Sequence, residues 1–156
     1  LREELFEAEA GGGATLNGNP IRVSGARSLD ASLLGTGFPF GAPQHLDSYL
    51  RVFGDLFRGC RDIRRAGAAV LDLSHVAAGR LDGFWELHLK PWDMAAGALI
   101  VREAGGTVGD FFGNEGFLES GNIVAASPSI FGSIVEAAKK RFTPESVAGL
   151  ATRFLP

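Results

Sequence analysis

From Ser32 onward the chain alternates short apolar runs with amphipathic stretches of ten to fifteen residues, and this alternation restricts the fold more than any other feature. Strands interleaved with helices predict a layered α/β architecture, a mixed sheet flanked by helices. Ser32-Leu33-Leu34-Gly35-Thr36 reads as a buried strand that ends in the turn-rich run Gly37-Phe38-Pro39-Phe40-Gly41-Ala42-Pro43. A helix follows, with Leu46, Tyr49, Leu50, Phe53, Leu56, Phe57 and Cys60 at steps of three and four as one core-facing stripe. Residues 62–64 read as a strand, and Gly67 opens a second helical stretch with Ala69, Val70, Leu73, Val76 and Ala77 on one face and Gly79 just past its end. Residues 80–87 form a further strand. Pro91 starts a third helix carrying Trp92, Ala95, Ala96, Leu99 and Ile100, and residues 108–111 and 122–126 are two more strands. Ser127-Pro128 and Thr143-Pro144 each place a capping residue before a proline and so start two last helices.

Ahead of this pattern, residues 4–23 read as a small antiparallel meander. Gly11-Gly12-Gly13 makes one break, and Asn17-Gly18 is a two-residue hairpin signal ahead of Ile21-Arg22-Val23. A strand that begins at the chain start, with no loose polar residues before it, predicts that the chain was cut from a longer one.

Composition narrows the function classes. With 15 Lys and Arg against 18 Asp and Glu, the formal charge is −3, which gives no basic footprint for nucleic acid. The single cysteine, Cys60, precludes an internal disulfide, and no Cys and His cluster has zinc-site spacing, so a reducing, cytoplasmic setting is expected. No apolar run approaches the roughly 18 residues of a membrane span. Glycine, at 22 of 156 residues, is about twice its usual share and predicts many tight turns or close backbone approaches.

The densest chemical signal is Lys90-Pro91-Trp92-Asp93-Met94-Ala95-Ala96-Gly97, running on to Glu103-Ala104-Gly105-Gly106. Asp93 falls in the first turn of a helix, where unpaired N–H groups and the helix dipole favour an anion. It either stabilises the helix start or, since the small residues after it leave room for approach, holds a hard cation such as Mg²⁺ through oxygen.

These residues carry a resemblance to the inositol monophosphatase family, the Mg²⁺-dependent, Li⁺-sensitive phosphomonoesterases. Four further collinear runs share it: Gly13-Ala14-Thr15-Leu16-Asn17-Gly18, Gly35-Thr36-Gly37-Phe38-Pro39-Phe40, Arg64-Arg65-Ala66-Gly67-Ala68-Ala69, and Ala77-Ala78-Gly79-Arg80-Leu81-Asp82-Gly83-Phe84-Trp85-Glu86. The Gly-Phe-Pro-Phe run resembles the bacterial extragenic-suppressor branch. The resemblance implies the C-terminal portion of a sugar-phosphatase-type fold, with residues 1–30 closing an N-terminal α+β domain and 31–156 forming the C-terminal α/β domain. It further implies that Asp93 binds metal and meets the reacting phosphate, that Glu86 accepts hydrogen bonds from inositol hydroxyls, and that Arg64 binds substrate. Gly67, Ala68 and Ala69 would contact the polyol ring through a strand-to-helix turn. Such roles fit elementary chemistry, because a polyol offers several O–H donors to a carboxylate. Without the resemblance, Glu86 reads as an ordinary strand acid and Gly67 as an ordinary turn glycine.

The family's other metal ligands come from an upstream glutamate and an Asp-Pro-Ile/Leu-Asp-Gly-Thr loop, and no Asp-Pro pair occurs here. Those motifs are expected to precede Leu1. The acids Asp30, Asp47, Asp55, Asp72, Asp82, Asp110, Glu115 and Glu119 match none of the absent positions, so the chain on its own is expected to be inactive. The resemblance also implies a homodimer and an inositol phosphate substrate. A second implied reading is a non-catalytic role with the transcription machinery, by contact with protein in place of RNA. His45, His75, Cys60, the Gly11-Gly12-Gly13 run and Lys139-Lys140-Arg141 read as core, surface, turn or helix-end residues, while His88, close to the Lys90 motif, reads as facing the pocket or its rim with no mechanism that requires it.

Overall fold

The structure, a computed structural model, describes residues 3–148. Its first element is a three-stranded antiparallel sheet of β1 (Phe6–Glu9), β2 (Gly13–Leu16) and β3 (Asn19–Pro20), in that order. Phe6 lies opposite Leu16 and Glu9 opposite Gly13. The Asn17-Gly18 turn has φ of 50° and 76°, the mirror-image geometry that matches the twist of paired strands. The third strand ends earlier than residues 21–23. Ile21 donates one more N–H to the Ala14 carbonyl at 3.0 Å, and Val23 then turns to the Ala104 carbonyl at 3.1 Å.

The second sheet has five strands: β4 (Leu33–Thr36), β5 (Asp62–Arg64), β6 (Gly83–Leu87), β7 (Thr107–Gly109) and β8 (Asn122–Ala126), in the order β5-β4-β6-β8-β7. β4 is parallel to both β5 and β6, while β8 runs antiparallel to β6 and β7. The sheet is therefore mixed, as the alternation predicts. Side chains alternate across β6: Trp85 and Leu87 join the core formed with α1 (Leu46–Gly59). Phe84 joins the core formed with α2 (Ala69–Ala77) and α3 (Pro91–Glu103). A short α4 (Phe117–Ser120) follows, α5 (Pro128–Lys139) shares the α1 face, and α6 (Pro144–Val147) closes the described chain. None of the helices among the described residues is long and apolar enough to cross a membrane.

Helix positions follow the sequence closely, but their rotations do not. In α1 the buried residues are Tyr49, Val52 and Leu56, whereas Leu46, Leu50 and Phe57 of the expected stripe are exposed. In α3, where the sequence marks apolar residues without choosing an inner face, Trp92, Ala95, Ala96 and Leu99 face out, while Met94, Ala98 and Val101 are buried beside Ile100. Gly97 explains the rotation. A methyl group there would lie 2.7 Å from Leu73 Cβ, so α3 turns its bare backbone toward α2 and the larger residues flanking Gly97 are carried inward. Val70 is likewise exposed and Asp72 is buried. Ser127 forms no side-chain cap; its hydroxyl donates to the Ala26 carbonyl at 3.5 Å.

The small sheet is fastened to α3 by Glu103. Its two carboxylate oxygens each accept one N–H, from Gly11 and from Gly13, both at 2.9 Å. The Glu-Ala-Gly-Gly half of the motif that begins at Lys90 therefore serves architecture. Arg80 adds a second tie, with both terminal nitrogens on the Glu4 carboxylate at 2.7 and 2.9 Å.

Candidate active site

β4 and β6 are adjacent and parallel, but the connection leaving β4 enters α1 on one face and the connection leaving β6 enters α3 on the other. Loops that part in this way leave a crevice beyond the carboxyl ends of the strands, the place where open α/β sheets bind ligands. Glu86, next to last in β6, stands at this crevice. Its carboxylate fills the volume above Gly37, where a methyl group would lie 2.0 Å from Oε1. His88, two residues on, has φ of 69° and lies against Gly41, where a methyl group would be 2.5 Å from its Cε1. The Gly37–Gly41 loop thus lies over the end of β6, and it can do so because both of its ends are glycine.

The loop is held from beneath on the α1 side. Tyr49 Oη and Thr36 Oγ1 are 2.7 Å apart and both reach the Trp85 carbonyl, at 3.1 and 2.9 Å. Burial raises the Tyr49 hydroxyl well above its usual range, with the Thr36 bond opposing and the Glu86 charge adding, so it stays a neutral hydrogen-bonding group.

Glu86 is partly buried, and its carboxyl is pushed up to about 7. Burial is the main cause, followed by the Asp72 charge; Arg65 pulls the other way and Asp93 adds slightly. Asp72, in the first turn of α2 and only 2% exposed, is raised to about 6 by burial against the pull of Arg65. Four charged groups from β6, α2, α3 and the turn before α2 therefore act on one crevice. Arg65 and Asp72 carry no distinctive spacing in the sequence. The available signal was an acid inside Val70-Leu71-Asp72-Leu73, a run that is otherwise apolar.

The strand-to-helix turn lies as its sequence implies. Gly67 has φ of 95°, a conformation open mainly to glycine, and Ala68 precedes α2 in an extended conformation. Ala69 is the first helical residue, so its N–H has no carbonyl one turn behind it. Arg65 Nη1 packs over Gly67, 2.7 Å from where a methyl group would stand, and its guanidinium lies 5.4 Å from the centre of the Phe40 ring. Arg64 takes a different direction. Its exposed side chain pairs with Asp62 on the same strand, and β5 is the edge strand of the sheet.

Asp93 occupies the third position of α3, and its Oδ2 accepts the Lys90 N–H at 2.9 Å. The carboxylate is partly buried beside the exposed Trp92, Ala95 and Ala96, which leaves an approach open. The first account of this acid, stabilisation of the helix start, is seen directly in the bond to the Lys90 N–H. A magnesium ion takes about six oxygens in near-octahedral geometry. Among the described residues no group of three or more His, Cys, Asp or Glu converges as a metal site. Asp93 fits one ligand position of such a site and the described residues do not complete it.

The sequence profile of the inositol monophosphatase family matches residues 1–142. The chain belongs to this family. Among curated relatives, the Nus factor SuhB of Escherichia coli K12 is 55% identical over 130 residues, 83% of this chain and 49% of that protein. The Nus factor SuhB of Pseudomonas aeruginosa is 53% identical over 146 residues, 92% of this chain and 54% of the relative. The chain spans about half the length of these relatives. Among solved structures, the extragenic suppressor protein suhB of Bartonella henselae superposes with a TM-score of 0.86 at 44% identity, covering 90% of this chain and 54% of that one. An inositol monophosphatase from Anabaena superposes with a TM-score of 0.83 at 40% identity, covering 89% and 55%. The sugar-phosphatase-type α/β architecture is thereby shown, and it places Glu86, Asp93 and the Gly67 turn within an inositol monophosphatase fold.

Proposed function

We propose that this chain supplies the C-terminal share of a Mg²⁺-dependent phosphomonoesterase, with an inositol phosphate as substrate. The observation that supports this most is that Glu86, at the carboxyl end of β6 beside β4, feels the charges of Asp93 at the start of α3 and of Arg65, whose guanidinium lies against the Gly67 turn. In this reading Asp93 contributes one oxygen ligand to magnesium, which when bound neutralises phosphate charge and makes water a better nucleophile. Glu86 accepts hydrogen bonds from the polyol, the Ala69 N–H offers a donor to a polyol oxygen, and Arg64 steers the anion from the rim. Residues 1–30 would complete an N-terminal α+β domain and 31–156 the C-terminal domain. The whole protein would be a Li⁺-sensitive, cytoplasmic homodimer. A single aspartate cannot balance a dianionic ester, so this chain by itself would hydrolyse inositol 1-phosphate negligibly. Related sugar or nucleotide phosphates remain alternative substrates within the same chemistry.

A second reading is a protein-binding role with the transcription machinery, supported by relatives at 50% identity or more that are called Nus factors. The test is to assay the intact protein on inositol 1-phosphate with and without Mg²⁺, and in parallel to measure copurification with RNA polymerase. Mg²⁺-dependent turnover that Asp93→Asn removes supports the phosphatase. Copurification that survives Asp93→Asn, with no turnover by the unaltered protein, supports the second reading.

A further inference from the structure

Gly35 lies in β4 with its bare side on the face covered by α2 and α3, bordered by Leu81 and Phe84, and Gly37 is the residue just past the end of that strand. Each leaves a volume that an acid borders or fills. A methyl group at 37 would lie 2.0 Å from Glu86 Oε1, and one at 35 would lie 3.8 Å from Asp72 Oδ1. The two carboxylates therefore stand along one bared strip of backbone. They differ in access, because Asp72 is 2% exposed and Glu86 is open to the crevice. Neither forms an ion pair among the described residues. Their shared counter-charge is Arg65, seated against the Phe40 ring and the Gly67 turn.

We propose that Asp72 is a positioning residue for Glu86. Buried out of reach of any ligand, it fixes the orientation of Glu86 over Gly37 and the strength with which Glu86 accepts hydroxyl groups, with Arg65 as the opposing control. This rests on the polyol-binding role proposed for Glu86. A negative charge behind a carboxylate makes it more basic and so a stronger acceptor, while a guanidinium beside it keeps it ionised. The groups facing Glu86 are Asp72 from α2, Asp93 from α3, Arg65 from the turn before α2 and the Tyr49 hydroxyl from α1. Of these, Asp72 exerts the largest electrostatic effect.

The experiment compares Asp72→Asn and Arg65→Gln in the intact protein, reading the Glu86 carboxylate by ¹³C NMR across pH and the binding of free myo-inositol by calorimetry. The expected result is opposite displacement: the Glu86 midpoint falls by about one pH unit in Asp72→Asn and rises in Arg65→Gln. With it, inositol affinity at pH 8 weakens by roughly threefold to tenfold in Asp72→Asn. An unmoved midpoint, or the same displacement in both variants, overturns the proposal, since loosened packing would not change sign with the charge removed. The NMR reading needs no turnover. Phosphatase inactivity of the unaltered protein would count against the proposed function alone, and opposed midpoints with unchanged inositol affinity would overturn the link to hydroxyl binding.

Discussion

Glu86 and Gly37 compete for one space: a methyl group on residue 37 would stand 2.0 Å from Glu86 Oε1 and 2.1 Å from its Cδ. The clash falls on the far end of a flexible side chain, and Gly37 does not need a positive φ. Gly37→Ala should therefore displace the carboxylate and leave the fold in place. Denaturant midpoints are expected to move by about 1 kcal/mol or less, while KM for a polyol phosphate rises relative to an aryl phosphate. Equal losses on both substrates would contradict the role given to Glu86.

Glu103 should govern the docking of the small sheet. Its lowered carboxyl follows from the backbone N–H bonds of Gly11 and then Gly13, so it stays ionised at neutral pH. In Glu103→Ala, hydrogen exchange at the Gly11 and Gly13 amides is expected to accelerate, while amides in β6 and β8 keep their protection. In the unaltered chain the protection of these two amides relative to their intrinsic exchange rate should fall in the same way when pH drops below the ordinary glutamate range.

Stability should pass through a maximum near pH 5. Glu86 and Asp72 are raised to about 7 and about 6, so the folded chain holds protons that an unfolded chain releases near pH 4. The contribution of these two groups therefore falls as pH climbs from about 4 to 7. Asp55, Asp62, Glu103 and Glu145 are shifted down, so their contribution is present above the unfolded carboxyl range and disappears as pH drops through it. Urea midpoints measured from pH 4 to 8 check the curve, and Glu86→Gln should flatten its alkaline side.

Asp93→Asn should separate the helix-start bond of that residue from the metal-binding role proposed for it. An asparagine carbonyl oxygen can still accept the Lys90 N–H, so the helix start persists and thermal midpoints are expected to change by only a few degrees. The charge is lost, and with it Mg²⁺ affinity and, by roughly a hundredfold or more, hydrolysis by the intact protein. Isothermal titration with Mg²⁺ beside a melting curve distinguishes a lost ligand from a lost fold.

Order and type of elements were written in local sequence. Pro91 and Pro128 begin α3 and α5, Asn17-Gly18 makes the hairpin, and the alternation after Ser32 became a mixed sheet with helices on both faces. Each of these depends on φ restriction, missing N–H groups or short-range periodicity, which a linear reading can follow. The places of Glu86, Asp93 and the Gly67 turn on their elements were legible for the same reason, because they lie within one or two residues of a strand end or a helix start.

Which side of a helix faces inward, and which charges meet, were decided only by the assembled fold. The apolar residues of α3 nearly encircle it, so periodicity could not choose a face, and the contact of Gly97 with Leu73 did so. Arg65 and Asp72 are local neighbours of the Gly67 turn, yet their relation to Glu86 arises from the parallel pairing of β4 with β6 and the glycines opposite them. A sequence fixes where a side chain begins along its own element; the electrostatics of a crevice depend on distances between elements, and those exist only after packing.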